Sequence, residues 1–172
     1  MIDRSKVKII RQISLFLGIL VGMAACGDAG PLEKGNPAPD FSMSDLDGVE
    51  QSLAAHRGKV VMLYFWADWC PTCKKEFPQT QAFYQELGGE DFEILAVNVG
   101  QPAEASRKFR QAYQATFPML TDSTSSLTKT YEVEVLPTNY FIDPEGKIIR
   151  RIIGFVDKNQ ARVMIEQHRS KI

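Results

Sequence analysis

Hydrophobic and polar positions along this chain change period several times, and each change marks a structural element. Residues 59–66 are apolar at almost every position and rich in β-branched and aromatic side chains. That run predicts a strand buried on both faces. The next segment has helical spacing and predicts a helix from the Cys70 region to about Leu87, with Pro71 near its first position, where a missing N–H costs little. Pro78 falls inside it and predicts a kink. Residues 92–99 read as a second strand. A helix separates it from the first, so the two are expected to be parallel with a right-handed crossover. Residues 103–115 predict a helix, because Ala105, Phe109, Ala112 and Tyr113 share one side at i, i+4, i+7 and i+8. Residues 139–143 and 147–153 predict an antiparallel hairpin turning at Pro144-Glu145-Gly146. Asp157, with Gln160 three residues on, resembles a capping box that opens a last helix whose inner side carries Ala161, Met164, Ile165 and His168. Near the start, residues 41–43 and 49–52 flank Asp47-Gly48, a hairpin turn signal. The order β-α-β-α-β-β-α, preceded by that N-terminal β-hairpin extension, predicts an α/β fold with a central mixed sheet flanked by helices.

The first 25 residues follow a different pattern. Arg4, Lys6, Lys8 and Arg11 precede thirteen mostly apolar residues, 13–25, which end in Met23-Ala24-Ala25-Cys26. Thirteen residues are short of the roughly 20 that span a bilayer. A basic start, short apolar middle and small-residue end match a secretory signal; an uncleaved membrane anchor is the competing reading. The residues around Cys26 resemble the bacterial lipoprotein signal, with Met23 where that family most often has Leu. The resemblance implies that residues 1–25 are removed and that Cys26 is the lipid attachment site. Residues 26–37 then form a Gly/Pro-containing tether, and residues 38–172 form the domain. Such a protein is expected outside the cytoplasm, on the periplasmic side or the outer face of the cell membrane, where disulfides persist.

Charge narrows the partners. The chain has 172 residues, 20 basic and 21 acidic, for a net charge of −1. Nothing in that balance points to nucleic acid. Three cysteines are present, and they divide into Cys26 alone and the pair in Trp69-Cys70-Pro71-Thr72-Cys73. This pair sits at the joint between the apolar strand and the helix. At a helix N-terminus unpaired N–H groups and the helix dipole favour a thiolate, the reactive form of cysteine. Cys73, one turn on, faces the same way and can close a disulfide with Cys70. A two-electron thiol switch is therefore expected. An inert structural disulfide and half a metal site compete with it. Zinc usually takes four Cys/His ligands, and only His56 and His168 are otherwise available, both remote, so no metal and no cofactor are expected. Lys74 follows Cys73, which excludes a haem-attachment CxxCH.

The element order, with Cys-x-x-Cys after the first central strand, resembles the thioredoxin superfamily, and in detail its exported TlpA/ResA-like branch. The resemblance rests on residues 35–41, 58–73, 74–78, 97–99 and 131–146, and it covers most of positions 35–155. It implies a thioredoxin-like fold and a protein thiol–disulfide oxidoreductase. Cys70 would be the nucleophile and Cys73 the resolving thiol. Pro137 matches a proline that is cis in the superfamily, against a base rate of about 5% for X–Pro bonds. The Leu136 backbone beside it would pair with an extended substrate, and Trp69, Pro71 and Thr72 would shape the surrounding surface. Glu76 is a solvated surface residue on spacing alone; the resemblance places it in the active-site cavity as a proton relay to Cys73. Tyr64 is a departure, standing where the superfamily carries a buried aspartate or asparagine, and reads as a core tyrosine. Partners implied by the resemblance are exported proteins with cysteine pairs, apocytochrome c among them, together with a membrane electron donor. The competing functions are a peroxiredoxin-like peroxidase, disfavoured by Ala67 where that family has Thr, and a Cu(I) metallochaperone, disfavoured by scattered methionines.

Overall fold

A computed structural model of the chain describes residues 31–89 and 91–168. The expected signal and Cys26 lie outside the described residues. Strand β3 (Val60–Trp66) is the centre of the fold, and all seven of its residues are buried. It pairs in parallel with β4 (Phe92–Val99) on one side and antiparallel with β6 (Thr138–Ile142) on the other. Strands β5 (Met119–Asp122) and β7 (Ile148–Ile153) complete a five-stranded mixed sheet in the order β5-β4-β3-β6-β7. The predicted hairpin is present as a separate two-stranded sheet, β1 (Ser42–Ser44) against β2 (Glu50–Ser52). Its turn carries Gly48 at φ +81°, a backbone that suits glycine. Asp45 Oδ1 accepts from the N–H groups of Asp47 and Val49 and holds that turn closed.

Side chains of a strand alternate between faces, and β3 divides the core accordingly. Met62, Tyr64 and Trp66 pack with Phe77 and Phe83 of α1 (Pro71–Leu87), Phe109 of α2 (Ala103–Tyr113), and Ala161 and Ile165 of α4 (Lys158–His168). Val61, Leu63 and Phe65 pack on the other side with Leu95, Tyr131, Tyr140 and Leu127 of α3 (Ser126–Thr130). Phe77 is the hub of the first cluster. Its ring lies 4.6–5.9 Å, centroid to centroid, from those of Tyr64, Trp66, Phe109, Tyr113 and Phe117. Such offset and edge-on aromatic contacts add to the burial of area itself.

The predicted elements are present with ends moved by a residue or two, and Asp157 caps α4 through the Gln160 N–H at 2.8 Å. Three features depart from the sequence reading. β5 and α3 were not anticipated; each is too short to show a period. On α2 the buried positions are Ser106 and Phe109, while Ala112 faces solvent. Pro78 itself lies inside α1, where the sequence places it.

The free edge of the sheet at β7 is partly occupied. Gly35 N–H donates to the Ile148 carbonyl and Ile148 N–H to the Asn36 carbonyl, at 2.8 and 2.9 Å, while Pro37 bridges to Lys147. Residues leading into the domain thus lie along β7.

Phe77→Ala empties the centre of one core cluster. The expected loss is about 3–5 kcal/mol of unfolding free energy, read by denaturant titration of the oxidised protein.

Candidate active site

A helix begins with N–H groups that lack partners within it. In α1 the residue at the capping position is Cys70. Its backbone is extended, and its Sγ accepts from the Cys73 N–H at 3.1 Å. Pro71 follows at the first helical position and brings no N–H of its own. Cys70 and Cys73 are joined in a disulfide with their Cα atoms 5.2 Å apart. Cys70 keeps 3% exposure and Cys73 none, so a reactant from solvent meets Cys70 first. In the reduced protein the same N–H donor and helix dipole favour the thiolate of Cys70.

The surface around the pair carries exposed apolar groups beside exposed Lys74 and Lys75. Trp69 is 63% exposed, and Pro71 and Thr72 are exposed beside it. The Leu136–Pro137 peptide is cis. Thr138 stands opposite Phe65 in the sheet register, so this peptide lies just past the end of β3 that leads to Cys70. Leu136 lies outside the strand pairing, half-buried against both core clusters. Val135 next to it is exposed. Sequence thus brings Trp69, Pro71, Thr72, Leu136 and Pro137 to one end of the sheet.

Glu76 is buried, with 2% of its surface exposed; the solvated alternative is excluded. One turn past Cys73, its Oε1 accepts from Val156 N–H at 2.9 Å, while Oε2 has no hydrogen-bond partner among the described residues. Burial pushes its pKa up to about 7, and the bond from Val156 opposes that shift only in part. Glu76 lines a cavity of about 190 Å³ with Met62, Phe83, Phe155, Val156 and Lys158. It also lines an adjoining hollow bordered by Thr72, Lys75 and Phe155. The carboxyl therefore stands between the interior cavity and the rim of the Cys-Pro-Thr-Cys turn.

Several residues at this site had no signal in the sequence. Phe155 is 54% exposed over the cavity, and its only mark was an apolar pair directly after the glycine that ends β7. Gln101 ties Asp68 to β4: its Oε1 accepts from Asp68 N–H and Asn98 Nδ2, each at 2.9 Å, and its Nε2 donates to Asp68 Oδ1 at 2.6 Å. Asp68 is thus half-buried and held in place. Among the described residues no cluster of three or more His, Cys, Asp or Glu side chains is placed to hold a metal ion. His56 pairs with Gln51 Oε1 at 2.8 Å and His168 with the Met164 carbonyl at 2.9 Å, both away from the cysteines.

Residues 34–151 match the AhpC/TSA family. The thiol–disulfide oxidoreductase ResA of Geobacillus thermodenitrificans is 40% identical over 132 residues, 77% of this chain and 76% of that protein. The crystal structure of a thiol:disulfide interchange protein DsbE from Chlorobium tepidum superposes with a TM-score of 0.70 at 34% identity, covering 80% of this chain and 98% of that one. The exposed lipoprotein thioredoxin of Streptococcus pneumoniae superposes with a TM-score of 0.63 at 31% identity, over 75% and 99% of the two chains. The architecture is the thioredoxin-like fold expected from the sequence.

The buried carboxyl makes stability depend on pH. Folded, Glu76 holds its proton up to about pH 7; its ordinary value is 4.5. The folded state therefore binds the extra proton between those limits, and this contribution to stability falls as pH rises through them. Glu76→Gln removes it. The variant is expected to gain on the wild type from pH 4.5 to 7, with the largest advantage above 7, as read from urea midpoints across that range.

Proposed function

The chain belongs to the AhpC/TSA family and is a thiol–disulfide oxidoreductase; from that premise we propose that it is held at a membrane outside the cytoplasm and reduces disulfides in other exported polypeptides. The observation that carries this reading is the Cys70–Cys73 disulfide at the N-terminus of α1, with Cys70 at a rim that carries exposed apolar groups. In the proposed cycle the reduced protein attacks a client disulfide through the Cys70 thiolate. A mixed disulfide forms and one client sulfur leaves as a thiolate. Cys73, as a thiolate, then attacks Cys70, releasing the second client thiol and leaving the Cys70–Cys73 disulfide. Glu76 takes the proton of Cys73 in this second step, for which a carboxyl titrating near neutrality is suited. A membrane electron donor returns the pair to the dithiol. Thioredoxin-fold dithiols span about −270 to −120 mV, so the measured potential of the pair tests the reducing direction.

Recognition of clients is assigned to the rim. An extended segment would add alongside the Leu136 backbone, between Trp69 and Val135, contacting Pro71, Thr72 and Pro137. Exposed apolar groups suit an unfolded stretch containing a cysteine pair, and apocytochrome c before haem attachment is such a client. Attachment through lipidated Cys26 is supported by the basic–apolar–small pattern of residues 1–25. A structural relative described as an exposed lipoprotein also supports it. More than one acyl chain makes such attachment stable.

Three outcomes are expected. Cys70→Ser abolishes insulin-disulfide reduction, and equal activity in that variant would end the assignment. Cys73→Ser accumulates mixed disulfides with exported clients, identified by mass spectrometry of the trapped adducts. Cys26→Ser moves the protein from the membrane to the soluble extracytoplasmic fraction on cell fractionation; unchanged membrane retention would remove the lipid anchor from the proposal.

A further inference from the structure

Buried polar atoms nearly always find partners, so a group of them without one marks a place where something is arranged. Three such oxygens, Tyr64 Oη, Glu76 Oε2 and Asn139 Oδ1, lie without hydrogen-bond partners among the described residues. The fold brings their side chains together. Tyr64 and Asn139 are directly opposite each other in the β3–β6 register, so they share one face of the sheet with Cβ atoms about 5 Å apart. Asn139 Nδ2 donates to the Gly154 carbonyl at 3.2 Å, and Val156 N–H donates to Glu76 Oε1 at 2.9 Å. Asn139 and Glu76 therefore hold the two ends of one three-residue segment. The ring of Tyr64 lies 5.9 Å from that of Phe77, the residue after Glu76. Burial and the charge of Glu76 both push the Tyr64 phenol above its ordinary range, so it keeps its proton.

We propose that Tyr64 is a positioning residue for the proton relay at Glu76: its hydroxyl, directly or through one water, donates to Oε2 when Glu76 is ionised and turns to Asn139 Oδ1 when Glu76 is protonated. The hydroxyl protons favour this alternation. With Glu76 ionised, the phenolic O–H is the one hydroxyl donor among Tyr64, Glu76 and Asn139, whose amide keeps a second N–H besides the one given to Gly154; two acceptor oxygens compete for that hydroxyl, and the charged one binds more strongly. With Glu76 protonated, its own O–H donates to Tyr64 Oη, and the tyrosine O–H turns to donate to Asn139 Oδ1. Either state satisfies the tyrosine. The hydroxyl thus follows the proton without giving up its own. The ionisable groups around the carboxyl are Tyr64 from β3, Cys73 and Lys75 from α1, and Lys158 from α4. Lys158 is itself paired with Glu86.

The inference rests on the proposed role of Glu76, and its test separates the two. In Tyr64→Phe the ionised carboxyl loses its donor, and the Glu76 titration, followed by carbon-13 NMR of the side-chain carboxyl, moves up by about one pH unit. The pH profile of mixed-disulfide release moves with it. In the wild type, the Tyr64 Cζ resonance shifts with the Glu76 midpoint, and in Glu76→Gln that inflection is gone; this readout holds even if Tyr64→Phe folds poorly. An unmoved Glu76 midpoint in Tyr64→Phe, or a Tyr64 resonance indifferent to Glu76, overturns the inference. A Glu76→Gln variant that releases mixed disulfides normally overturns the relay instead, while the NMR titrations still decide whether the tyrosine holds the carboxyl.

Discussion

A sulfur atom stands where a helix needs an acceptor. The Cys73 N–H has no partner within α1, and Cys70 Sγ supplies one. This single contact serves structure and chemistry together. It caps the helix, and it places donor density at the atom that carries negative charge once the pair is reduced. The rest of the domain holds that sulfur at the end of a rigid strand. β3 is buried along its whole length between parallel and antiparallel neighbours, so the turn after Trp66 has little freedom to move. Phe77, one and a half turns into α1, locks the helix to the sheet through its aromatic neighbours.

The same rigidity fixes the polar groups behind the dithiol. Glu76 is held inward by the segment that ends in Val156, whose N–H it accepts, and only 2% of its surface is exposed. Its raised pKa is thus a property of packing: the cavity walls are Met62, Phe83 and Phe155, and the one bond from Val156 offsets only part of the desolvation. A carboxyl placed this way changes charge near neutral pH, where an exposed glutamate stays ionised.

Much of this was legible in the sequence, for identifiable reasons. The apolar run of β3, the proline at the first position of α1 and the spacing of Cys70 and Cys73 are local signals, and local geometry follows them. The hairpin at Asp47-Gly48 and the cap at Asp157 were equally readable, because turn and cap chemistry act over a few residues. Long-range placement was not. Glu76 sits between Lys75 and Phe77, and nothing in that neighbourhood says that α1 turns it inward beneath Phe155, nearly eighty residues away in sequence. Tyr64 read as plain core because its ring is core; that the sheet register sets it opposite Asn139 is not announced by any local pattern. β5 and α3 escaped because four or five residues cannot display a period. Ala112 was misplaced for the opposite reason: a period was read where Ser106 in fact takes the inner position.

The residues that lead into the domain have a consequence for its solubility. An outer strand with unpaired N–H and C=O groups invites a second sheet to dock edge-on. Here backbone bonds from Gly35 and to Asn36 occupy part of β7, so this stretch works as a cover strip. Loss of those few residues would leave the Ile148 backbone open to lateral stacking between molecules.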